Sequence, residues 1–293
     1  MYQNIFISWT GAKPLIHLWD DQKGHTMLPF KKYAYEKNRS GTLRSLYGDK
    51  LKKIKYWKKE DTSKLFESDI NPEMRTLVDL YHNSDEPSVN HKVLYFDIET
   101  EVLEGFPDWH NPINRILSFT VYDQEDDKYY VGVLDLNNKL TLKSKDNIDI
   151  EVFSTEDELL KHFILLVKQI NPTIFSGWNI DNFDVPYLYS RMCVVLGTEL
   201  ANELSPISTV IFNRGQNVFK IAGISCLDYY RLYMKFSMGD RPSYKLDDIG
   251  SLEVGVKKVA YEGTLNDLYA NDIDKFIEYN INDVRILKLL DDK

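Results

Sequence analysis

The stretch Val-Leu-Tyr-Phe-Asp-Ile-Glu at residues 93–99 decides how this chain can fold. Residues two apart on a strand point to the same face, so Asp97 and Glu99 project together from a segment that is otherwise apolar. Burying carboxylates without a partner is costly, and a cationic group or a divalent metal is the usual compensation. A strand end at which both acids simply meet water is the alternative. The stretch therefore predicts a β-strand that carries either an acidic site or a solvated end.

Further acids follow in two later segments. Residues 177–186 read Gly-Trp-Asn-Ile-Asp-Asn-Phe-Asp-Val-Pro and join a predicted strand at 173–176 to a helix, so Asp184 lies at the sheet edge where α/β folds place ligands. Tyr279 and Asp283 are four residues apart on a predicted helix, so the phenol and the carboxylate share a face. Asp184 as a helix cap, and the other two as an ordinary surface pair, remain alternatives.

The rest of residues 91–293 alternates strands with helices. Strands are predicted at 93–99, 115–122 and 128–135, and a capping box of Thr155 and Glu158 opens a helix that Asn171-Pro172 ends. After the strand at 173–176 we expect a helix at 185–196, a hairpin of residues 207–212 and 218–227, and a long amphipathic helix at 272–290. The fold class is therefore α/β, with a mixed β-sheet flanked by helices.

The composition is that of a soluble globular protein. The chain has 293 residues, of which 43% are hydrophobic and 28% charged, and this length allows two ordinary domains. No apolar run is long enough to cross a bilayer and the N-terminal residues do not resemble a signal peptide, so we expect a cytoplasmic location, in the host if the protein is viral. Cys193 and Cys226 lack metal-ligand spacing, which favours buried reduced thiols over a disulfide or a zinc site.

The charge is unevenly distributed along the chain. A polar, proline-containing segment at residues 83–90 marks a predicted domain boundary. Residues 1–90 carry 15 Lys and Arg against 12 Asp and Glu, whereas residues 91–293 carry 21 against 33. The most basic part, residues 31–59, is interleaved with the aromatic residues Tyr33, Tyr35, Tyr47, Tyr56 and Trp57. Such a stretch can hold phosphates and stack bases, or it can be the solvated basic face of a small β-rich domain, and both interpretations stay open.

Taken together, the three acidic elements resemble the Exo I, Exo II and Exo III motifs of the DEDDy exonucleases, which have a ribonuclease H-like fold. The segments DIET (97–100), GWNIDNFDVPYL (177–188), LDYYRLYMKF (227–236), PSYKLDDIG (242–250) and YNINDV (279–284) are similar to the exonuclease region of family B DNA polymerases, especially the phage branch. The resemblance is strong from about residue 91 to 290 and weaker before it. It implies a 3′→5′ exonuclease domain at 91–293, preceded by a smaller β-rich α+β N-terminal domain at 1–90.

The resemblance implies hydrolysis of the 3′-terminal phosphodiester of single-stranded DNA or of a frayed or mismatched primer end, with release of dNMPs. It also implies two divalent ions, Mg²⁺ or Mn²⁺, and carboxylate oxygens suit these ions better than zinc. Asp97, Glu99 and Asp184 are assigned to the ion that activates water, with Asp97 also bridging to the second ion. Asp283 is assigned to the ion of the attacking water, directly or through a water, and Tyr279 to the orientation of that water.

Other residues carry over from the family by position. Phe106, in residues 104–107, is implied to stack on the terminal base, with a loop anchor as the alternative. Lys258 is implied to lie near the scissile phosphate, although the adjacent Lys257 could take this place. Asn179 is expected to contact the substrate strand, and Phe183 to pack beneath the site.

Two features remain less specific. The hairpin tip at residues 213–217 matches a family element that holds or separates the primer terminus, although here it is short. Asp228 could be a fifth ligand, but a structural, hydrogen-bonded acid is the favoured interpretation.

The chain also departs from the family pattern. It ends at Lys293, and no segment resembles the metal-binding motifs of a polymerase active site. We therefore expect that it cannot polymerise alone, being either an excised part of a polymerase or one product of a split gene with a separate polymerase subunit in trans. Two functions of other classes stay open: an RNA- or DNA-binding module in residues 1–90, and a scaffold subunit without nuclease activity. The four intact acids argue against the scaffold.

Overall fold

The computed structural model describes residues 1–10, 13–103 and 105–293 of the chain. Its internal contacts divide the chain into two compact units, Met1–Asn90 and His91–Lys293, which are called unit 1 and unit 2 below. Each unit buries apolar side chains of its own.

Unit 1, in its described part, contains two small antiparallel sheets and one α-helix. The first sheet has the order β1-β2-β3, formed by β1 (Tyr2–Thr10), β2 (Lys13–Asp20) and β3 (Gly24–Pro29). The second has the order β4-β6-β5, formed by β4 (Ala34–Lys37), β5 (Leu43–Arg44) and β6 (Lys50–Ile54). A 3-10 helix spans Lys59–Lys64, and α1 spans Pro72–Tyr81.

The helix of unit 1 is fixed at both ends by side chains. The side chain of Asn71 caps α1 by accepting hydrogen bonds from the backbone amides of Glu73 and Met74. At the other end, the hydroxyl of Tyr81 donates to Asp20 at 2.7 Å, and Asp20 terminates β2. The helix is thereby tied to the first sheet.

Unit 2 is built on a six-stranded mixed sheet. Its strands are β7 (Val93–Thr100), β8 (Ile116–Asp123), β9 (Lys128–Leu134), β10 (Ile148–Phe153), β11 (Ile174–Gly177) and β14 (Ser225–Asp228), in the order β10-β9-β8-β7-β11-β14. The pairs β7–β8 and β8–β9 are antiparallel, and the remaining pairs are parallel. A separate hairpin is formed by β12 (Val210–Asn213) and β13 (Val218–Ile221).

Unit 2 also contains helices, several of which contact this sheet directly. They are α2 (Glu156–Ile170), α3 (Asp184–Leu196), α4 (Thr198–Ala201), α5 (Tyr229–Phe236), α6 (Leu246–Glu253), α7 (Leu265–Asn271) and α8 (Ile273–Asp292), with a 3-10 turn at Asn202–Leu204. Helix α2 contacts β8, β9 and β10, whereas α8 contacts β7, β8 and β9. The α/β class and the mixed sheet flanked by helices, as predicted, are confirmed.

The alternation of β7 separates its two faces. Leu94, Phe96 and Ile98 are buried in the larger apolar core, in which the ring of Phe96 packs against Phe163 of α2. Tyr95, on the opposite face, belongs to a second apolar cluster that includes buried residues of α8. Because residues two apart share a face, Asp97 and Glu99 lie on the Tyr95 side, toward α8.

The helix that begins after Thr155 was predicted at the right place, and the structure explains its start. The Thr155 side chain accepts a hydrogen bond from the backbone amide of Glu158, as the capping pattern predicts. Asn171 ends the helix in the left-handed conformation, with φ of 51°.

The prediction of one continuous strand at residues 218–227 is wrong. The segment forms two strands instead, because the chain turns at Gly223, whose φ is +92°. Before this turn β13 pairs with β12, and after it β14 joins the main sheet beside β11. Strand β10 was not predicted either, although it pairs in parallel with β9 at the sheet edge.

Two further expectations concern membrane-spanning helices and the cysteines. Among the described residues, no helix combines the length and the apolar character that crossing a membrane requires. Cys193 and Cys226 are free, as expected, and both are half-buried. Burial raises the pKa of the Cys226 thiol to about 12, so this group is a poor nucleophile at neutral pH.

Candidate active site

Three predicted acids from two elements meet at one place. Asp97 and Glu99 come from β7, and Asp283 comes from the facing side of α8. Each of the three has a carboxylate oxygen that lies within 4.8 Å of the other two. Their proximity follows from the packing of α8 across β7. Asp97 and Glu99 point to the same face of the strand, and Asp283 lies on the helix opposite that face.

The fourth predicted acid, Asp184, reaches the same strand from another element. It is the first residue of α3 and is buried, and one of its oxygens accepts a hydrogen bond of 3.2 Å from the backbone amide of Ile98. Its charge also contributes to the raised pKa of Asp97. Asp184 therefore lies beside the Asp97–Glu99 pair, with one oxygen directed at the backbone between them.

The loop that carries Asp184 depends on a close approach of β11 to β7. A Cβ at Gly177 would lie 2.6 Å from the backbone oxygen of Phe96 and 2.3 Å from a side-chain carbon of Ile180. A larger residue would therefore push the two strands apart. Two residues later, Asn179 adopts φ of +67°, which reverses the chain toward α3.

Asp228 supports this loop from β14. Its carboxylate accepts hydrogen bonds from the backbone amides of Asn179 (2.9 Å), Tyr230 (3.0 Å) and Asp181 (3.3 Å). Its second oxygen also lies 4.0 Å from the Arg231 guanidinium. Both oxygens are engaged with the protein, as expected for a structural acid.

Lys258 is the basic residue that the fold brings to the acids. Its Nζ donates to the hydroxyl of Tyr279 at 2.9 Å and forms an ion pair with Asp283. Its backbone amide donates to Asp247 on α6 at 2.7 Å, which fixes the position of the loop. The side chain of the adjacent Lys257 is exposed, so the geometry distinguishes the two lysines that the sequence left open.

The electrostatics of the site are dominated by negative charge. Burial raises the pKa of all four acids, namely Asp97, Glu99, Asp184 and Asp283. Repulsion from the neighbouring carboxylates raises the pKa of Asp97 and Glu99 further, whereas Lys258 opposes the shift at Asp283. Burial alone would lower the pKa of Lys258, but the charges of Asp283, Tyr279 and Asp97 raise it above its ordinary value. The site thus favours the binding of additional positive charge.

A divalent ion fits these residues. The Oδ1 atom of Asp283 is buried and has no hydrogen-bond partner among the described residues, which is costly unless a ligand satisfies it. Within the described part of the chain, the cluster of Asp97, Glu99 and Asp283 is the group of three or more potential ligands that could hold a metal ion. All its donors are carboxylate oxygens, which suit Mg²⁺ or Mn²⁺.

An apolar cavity of about 390 Å³ adjoins Glu99. Its other lining residues are Thr100, Val102, Gly105, Phe106, Pro107, Phe183 and Leu265. The Phe106 side chain is 79% exposed, and its ring centroid lies 5.2 Å from that of Phe183. Glu104, which precedes this loop, lies outside the described residues. An aromatic surface of this kind can accept a planar base next to the acids.

Asn179 and the hairpin tip are the remaining features for which the sequence predicts a substrate contact. The Asn179 side chain accepts a hydrogen bond of 2.6 Å from Asn182, within the same turn. The hairpin tip at residues 214–217 is exposed, while Phe212 at its base packs against Trp109 at a centroid distance of 5.3 Å. Substrate contacts by Asn179 and by the tip stay predictions.

Asn280 is a site residue that the sequence did not reveal. It follows Tyr279 on α8 and is fully buried, and its amide donates to Asp97 at 2.8 Å. Its carbonyl oxygen accepts from the hydroxyls of Ser118 and Thr120 on β8. The signal in the sequence was the pair Ser118 and Thr120, two polar residues that share one face of β8, a strand in which every residue is buried.

With this geometry in place, comparison with known proteins assigns the family. Residues 34–249 match the family model described as the exonuclease domain of DNA polymerase family B. The chain belongs to this family. The matched region begins inside unit 1 and includes three of the four acids, Asp97, Glu99 and Asp184. The resemblance to the exonuclease region of family B polymerases, predicted from the motifs, is confirmed.

Individual relatives agree with this assignment. The DNA-directed DNA polymerase of Escherichia phage RB69 is 35% identical over 226 residues, which cover 68% of this chain and 25% of that protein. The DNA-directed DNA polymerase of Enterobacteria phage T4 is 33% identical over 216 residues, or 64% of this chain and 24% of that protein. DNA polymerase 1 of Sulfolobus acidocaldarius is 27% identical over 210 residues. The family B exonuclease region described here therefore spans about a quarter of the length of its phage relatives.

Proposed function

We propose that residues 91–293 form a two-metal 3′→5′ exonuclease domain that removes 3′-terminal nucleotides from single-stranded or mismatched primer ends. The observation that carries this proposal is the cluster of Asp97, Glu99 and Asp283, in which one buried carboxylate oxygen has no partner among the described residues. The family assignment supports the same reaction. A ribonuclease H-like fold belongs to the proposal, supported by the antiparallel strands β7–β9 followed by the parallel strands β11 and β14.

The four acids would hold the ions. When bound, two divalent ions supply positive charge at the phosphate and at the departing oxygen and lower the pKa of a water molecule. Asp97 and Glu99 face the site from β7, Asp283 offers its Oδ1, which no described residue partners, and Asp184 enters from the start of α3. During hydrolysis the water oxygen forms a bond to phosphorus, the bond from phosphorus to the 3′ oxygen breaks, and a dNMP leaves.

Tyr279 and Lys258 would act on the water and the phosphate. Lys258 donates to the phenol oxygen and is also paired with Asp283, so the Tyr279 hydroxyl is held beside this ion pair. A hydroxyl fixed in this way can orient a water that approaches the site. The Lys258 ammonium adds positive charge where the phosphate becomes more negative.

The apolar cavity supports an unpaired terminal base as the group bound beside the acids. Phe106 and Phe183 offer ring surfaces beside Glu99, and stacking on aromatic rings tolerates every base. An unpaired 3′ base can enter without the cost of unpairing a duplex. The substrate is therefore proposed to be single-stranded DNA or a frayed primer end, as a proofreading role requires.

Digestion of a 3′-mismatched, labelled primer–template in Mg²⁺ tests this proposal. We expect release of nucleoside 5′-monophosphates from the 3′ end, and near-complete loss in the double variant Asp97→Ala/Glu99→Ala. The control is Asp149→Ala/Glu151→Ala, which removes an acid pair of the same spacing from the edge strand β10. Release from the 5′ end, or equal activity of both double variants, would contradict the proposal.

The proofreading role implies a polymerase active site that works with this domain. The phage relatives are DNA polymerases, and the matched region covers about a quarter of each. We propose that the domain receives its primer ends from such an active site, carried by the same polypeptide or by a separate subunit. In a primer-extension assay with a partner polymerase, adding the exonuclease should lower the extension of mismatched ends more than that of matched ends.

A cavity in unit 1 favours a second function, the binding of single-stranded nucleic acid. This cavity of about 1060 Å³ is lined by basic and aromatic side chains, including Lys31, Lys32, Lys53, Lys55, Tyr33, Tyr56 and Trp57. The ammonium of Lys32 lies 4.2 Å from the Trp57 ring centroid, and that of Lys53 lies 3.4 Å from the Tyr33 ring centroid. Ammonium groups beside rings can hold a phosphate next to a stacked base. RNA or DNA could be bound in this way.

Filter binding with the full chain in EDTA tests this second function without digestion. Trp57→Ala and Lys55→Ala should each weaken binding of a labelled oligonucleotide. Lys64→Ala, whose side chain is paired with Asp61 outside the cavity, should not. For single strands, the loss of each phosphate contact makes the negative slope of log affinity against log salt shallower by about 0.7. Equal affinity of all variants at low salt would contradict this function, and comparing RNA with DNA oligonucleotides identifies the preferred ligand.

A further inference from the structure

A buried polar network lies behind the acids. Asn280, Ser118 and Thr120 are each 0% exposed, yet all three carry polar side chains. The Asn280 amide donates to Asp97 Oδ2 at 2.8 Å, and its carbonyl oxygen accepts from Thr120 at 2.7 Å and from Ser118 at 3.1 Å. On the sheet, Asp97 pairs with Thr120 and Glu99 pairs with Ser118 in register. The network therefore links β8, the strand next to the two acids, to α8, the helix that carries Asp283.

The chemistry of the groups fixes the direction of every bond in this network. A carboxylate can only accept, so the NH₂ group of Asn280 has to face Asp97. The carbonyl end of Asn280 then faces β8 and requires donors, which the two hydroxyls supply. Reversing the amide would place its carbonyl oxygen against the carboxylate, and two acceptors cannot form a hydrogen bond with each other. The arrangement has one orientation in which all members are satisfied.

We propose that Asn280, with Thr120 and Ser118, is a positioning device that selects which oxygen of Asp97 faces the metal ions. This inference rests on the proposed two-metal function. Oδ2 of Asp97 is held by Asn280, and one carboxylate oxygen of Asp97 lies within 4.8 Å of oxygens of Glu99 and Asp283, so the orientation of this carboxylate decides which oxygen is offered to the ions. A ligand whose rotamer is fixed before binding loses less conformational freedom when the ion arrives. Asn280 does not touch the ions or the DNA and acts through Asp97.

A merely structural role makes a different prediction. Buried polar groups that only satisfy each other can be replaced together by apolar groups of the same shape with little effect on stability. If the network serves the core alone, the triple variant Ser118→Ala/Thr120→Val/Asn280→Leu should fold and bind metal normally. If it positions Asp97, this variant should fold but bind metal poorly. Metal affinity, and not stability, separates the two roles.

Calorimetric titration of the full chain with Mn²⁺ is the test, with thermal unfolding in EDTA as the check on folding. We expect Mn²⁺ binding to weaken about 10–100-fold in the triple variant and in Thr120→Val. Thr120→Ser, which keeps the hydroxyl, should bind Mn²⁺ as the unsubstituted chain does. The matched control is Ser205→Ala, which removes a buried hydroxyl that donates to Ala222, far along the chain from the site.

The outcomes also separate this inference from the proposed function. If Thr120→Val and Asn280→Leu bind Mn²⁺ with unchanged affinity while Asp97→Ala abolishes binding, the positioning role is overturned and the two-metal function stands. If Asp97→Ala leaves both Mn²⁺ binding and exonuclease activity intact, the proposed function itself fails. Thr120→Val changes a single side chain to one of nearly the same shape, so it answers the question even if the triple variant does not fold.

Discussion

At the scale of single residues, the acids of the site are held at a cost to stability. Burial and then the charge of Asp283 raise the pKa of Glu99, so in the absence of metal the charged form of Glu99 is disfavoured in the folded state. The pKa of Glu99 is therefore higher in the folded chain than in the unfolded chain. Protonation of Glu99 favours the folded state, and this contribution to the free energy of unfolding is lost as pH rises through the folded-state pKa. A neutral side chain at this position would avoid the loss.

We therefore predict that Glu99→Gln raises the free energy of unfolding in EDTA at pH 8 while it abolishes exonuclease activity. Since one pKa unit corresponds to about 1.4 kcal/mol, a gain of roughly 1–3 kcal/mol is expected. Urea unfolding with and without Mn²⁺ measures it. The control Glu151→Gln changes an exposed glutamate on β10 and should alter neither property. A destabilised Glu99→Gln in EDTA would show that the acids do not repel each other as described.

Lys258 and Lys257 offer a direct comparison of neighbouring lysines. Lys258 contacts Asp283 and Tyr279, whereas the side chain of Lys257 is exposed. We predict that Lys258→Met lowers kcat about 10²–10³-fold, as expected when a fixed group that stabilises transition-state charge is removed. Lys257→Met should leave kcat within about twofold. Single-turnover hydrolysis of a short single-stranded oligonucleotide measures both, and equal losses would contradict the assignment of Lys258.

The sequence revealed the acids but not the residues behind them, and the reason is the range of the signal. Asp97 with Glu99, and Tyr279 with Asp283, are spaced by two on a strand and by four on a helix, so local periodicity brings each pair together. Asn280 gains its role from hydroxyls 160 and 162 residues away and from an acid 183 residues away. Such contacts depend on strand order and helix packing, which no local pattern encodes.

At the scale of elements, the site depends on how closely β11 approaches β7. Gly177 closes this approach, since a Cβ there would meet the Phe96 backbone and the Ile180 side chain. We predict that Gly177→Ala destabilises the chain by about 1–3 kcal/mol, the usual cost of overpacking a core. Exonuclease activity should fall as well, because Asp184 follows in the same loop. Chemical unfolding and primer digestion measure the two effects. The matched control is Gly215→Ala at the hairpin tip, where a Cβ would lie 3.5 Å from the side-chain oxygen of Asn213, an ordinary van der Waals contact.

The first sheet of unit 1 contains a pair of histidines that should make its stability depend on pH. The side chain of His17 is buried between Ser8 and His25, with ring nitrogens 2.9 Å from the serine hydroxyl and 3.1 Å from the other imidazole. Burial and then the charge of His25 lower the pKa of His17 below its ordinary value of 6.5. The unfolded chain therefore takes up this proton more readily than the folded chain.

It follows that stability should fall as pH drops below about 6.5 and should level off below the folded-state pKa of His17. Thermal unfolding of unit 1, followed by the fluorescence of Trp19, which stacks on His25, measures this change between pH 7.5 and 5.5. His17→Gln should remove most of the dependence, whereas His82→Gln, at the exposed end of α1, should keep it. An unchanged slope in His17→Gln would rule out the histidine pair as the cause.

Elements with a strong local pattern were predicted, and those defined by their partners were not. The helix after Thr155 has its cap and its apolar face in the sequence, and α8 has a long amphipathic pattern. By contrast, residues 218–227 read as one apolar strand, and the turn at Gly223 separates two strands that pair with different partners. Strand β10 is half-exposed at the sheet edge, where little burial marks it in the sequence.

At the scale of the whole chain, the two units differ in charge and in what they are proposed to bind. Unit 1 is slightly basic and carries the cavity lined by lysines and aromatic rings, whereas unit 2 holds the entire acidic excess and the carboxylate cluster. A cluster of acids repels DNA until metal neutralises it. Strand binding and hydrolysis should therefore respond differently to ions: added salt weakens the first, and divalent metal is required for the second.

This difference predicts where metal stabilises the chain. A ligand that binds only the folded state stabilises it by RT ln(1 + [L]/Kd), or about 2.7 kcal/mol at 100 times Kd. The proposed metal ligands lie on β7, α3 and α8, so Mn²⁺ should slow amide hydrogen exchange in these elements and leave the amides of residues 1–90 unchanged. Hydrogen exchange followed by mass spectrometry, with and without Mn²⁺, measures the effect peptide by peptide. Asp97→Ala/Glu99→Ala should abolish the protection, and protection that persists in this variant would place the metal elsewhere.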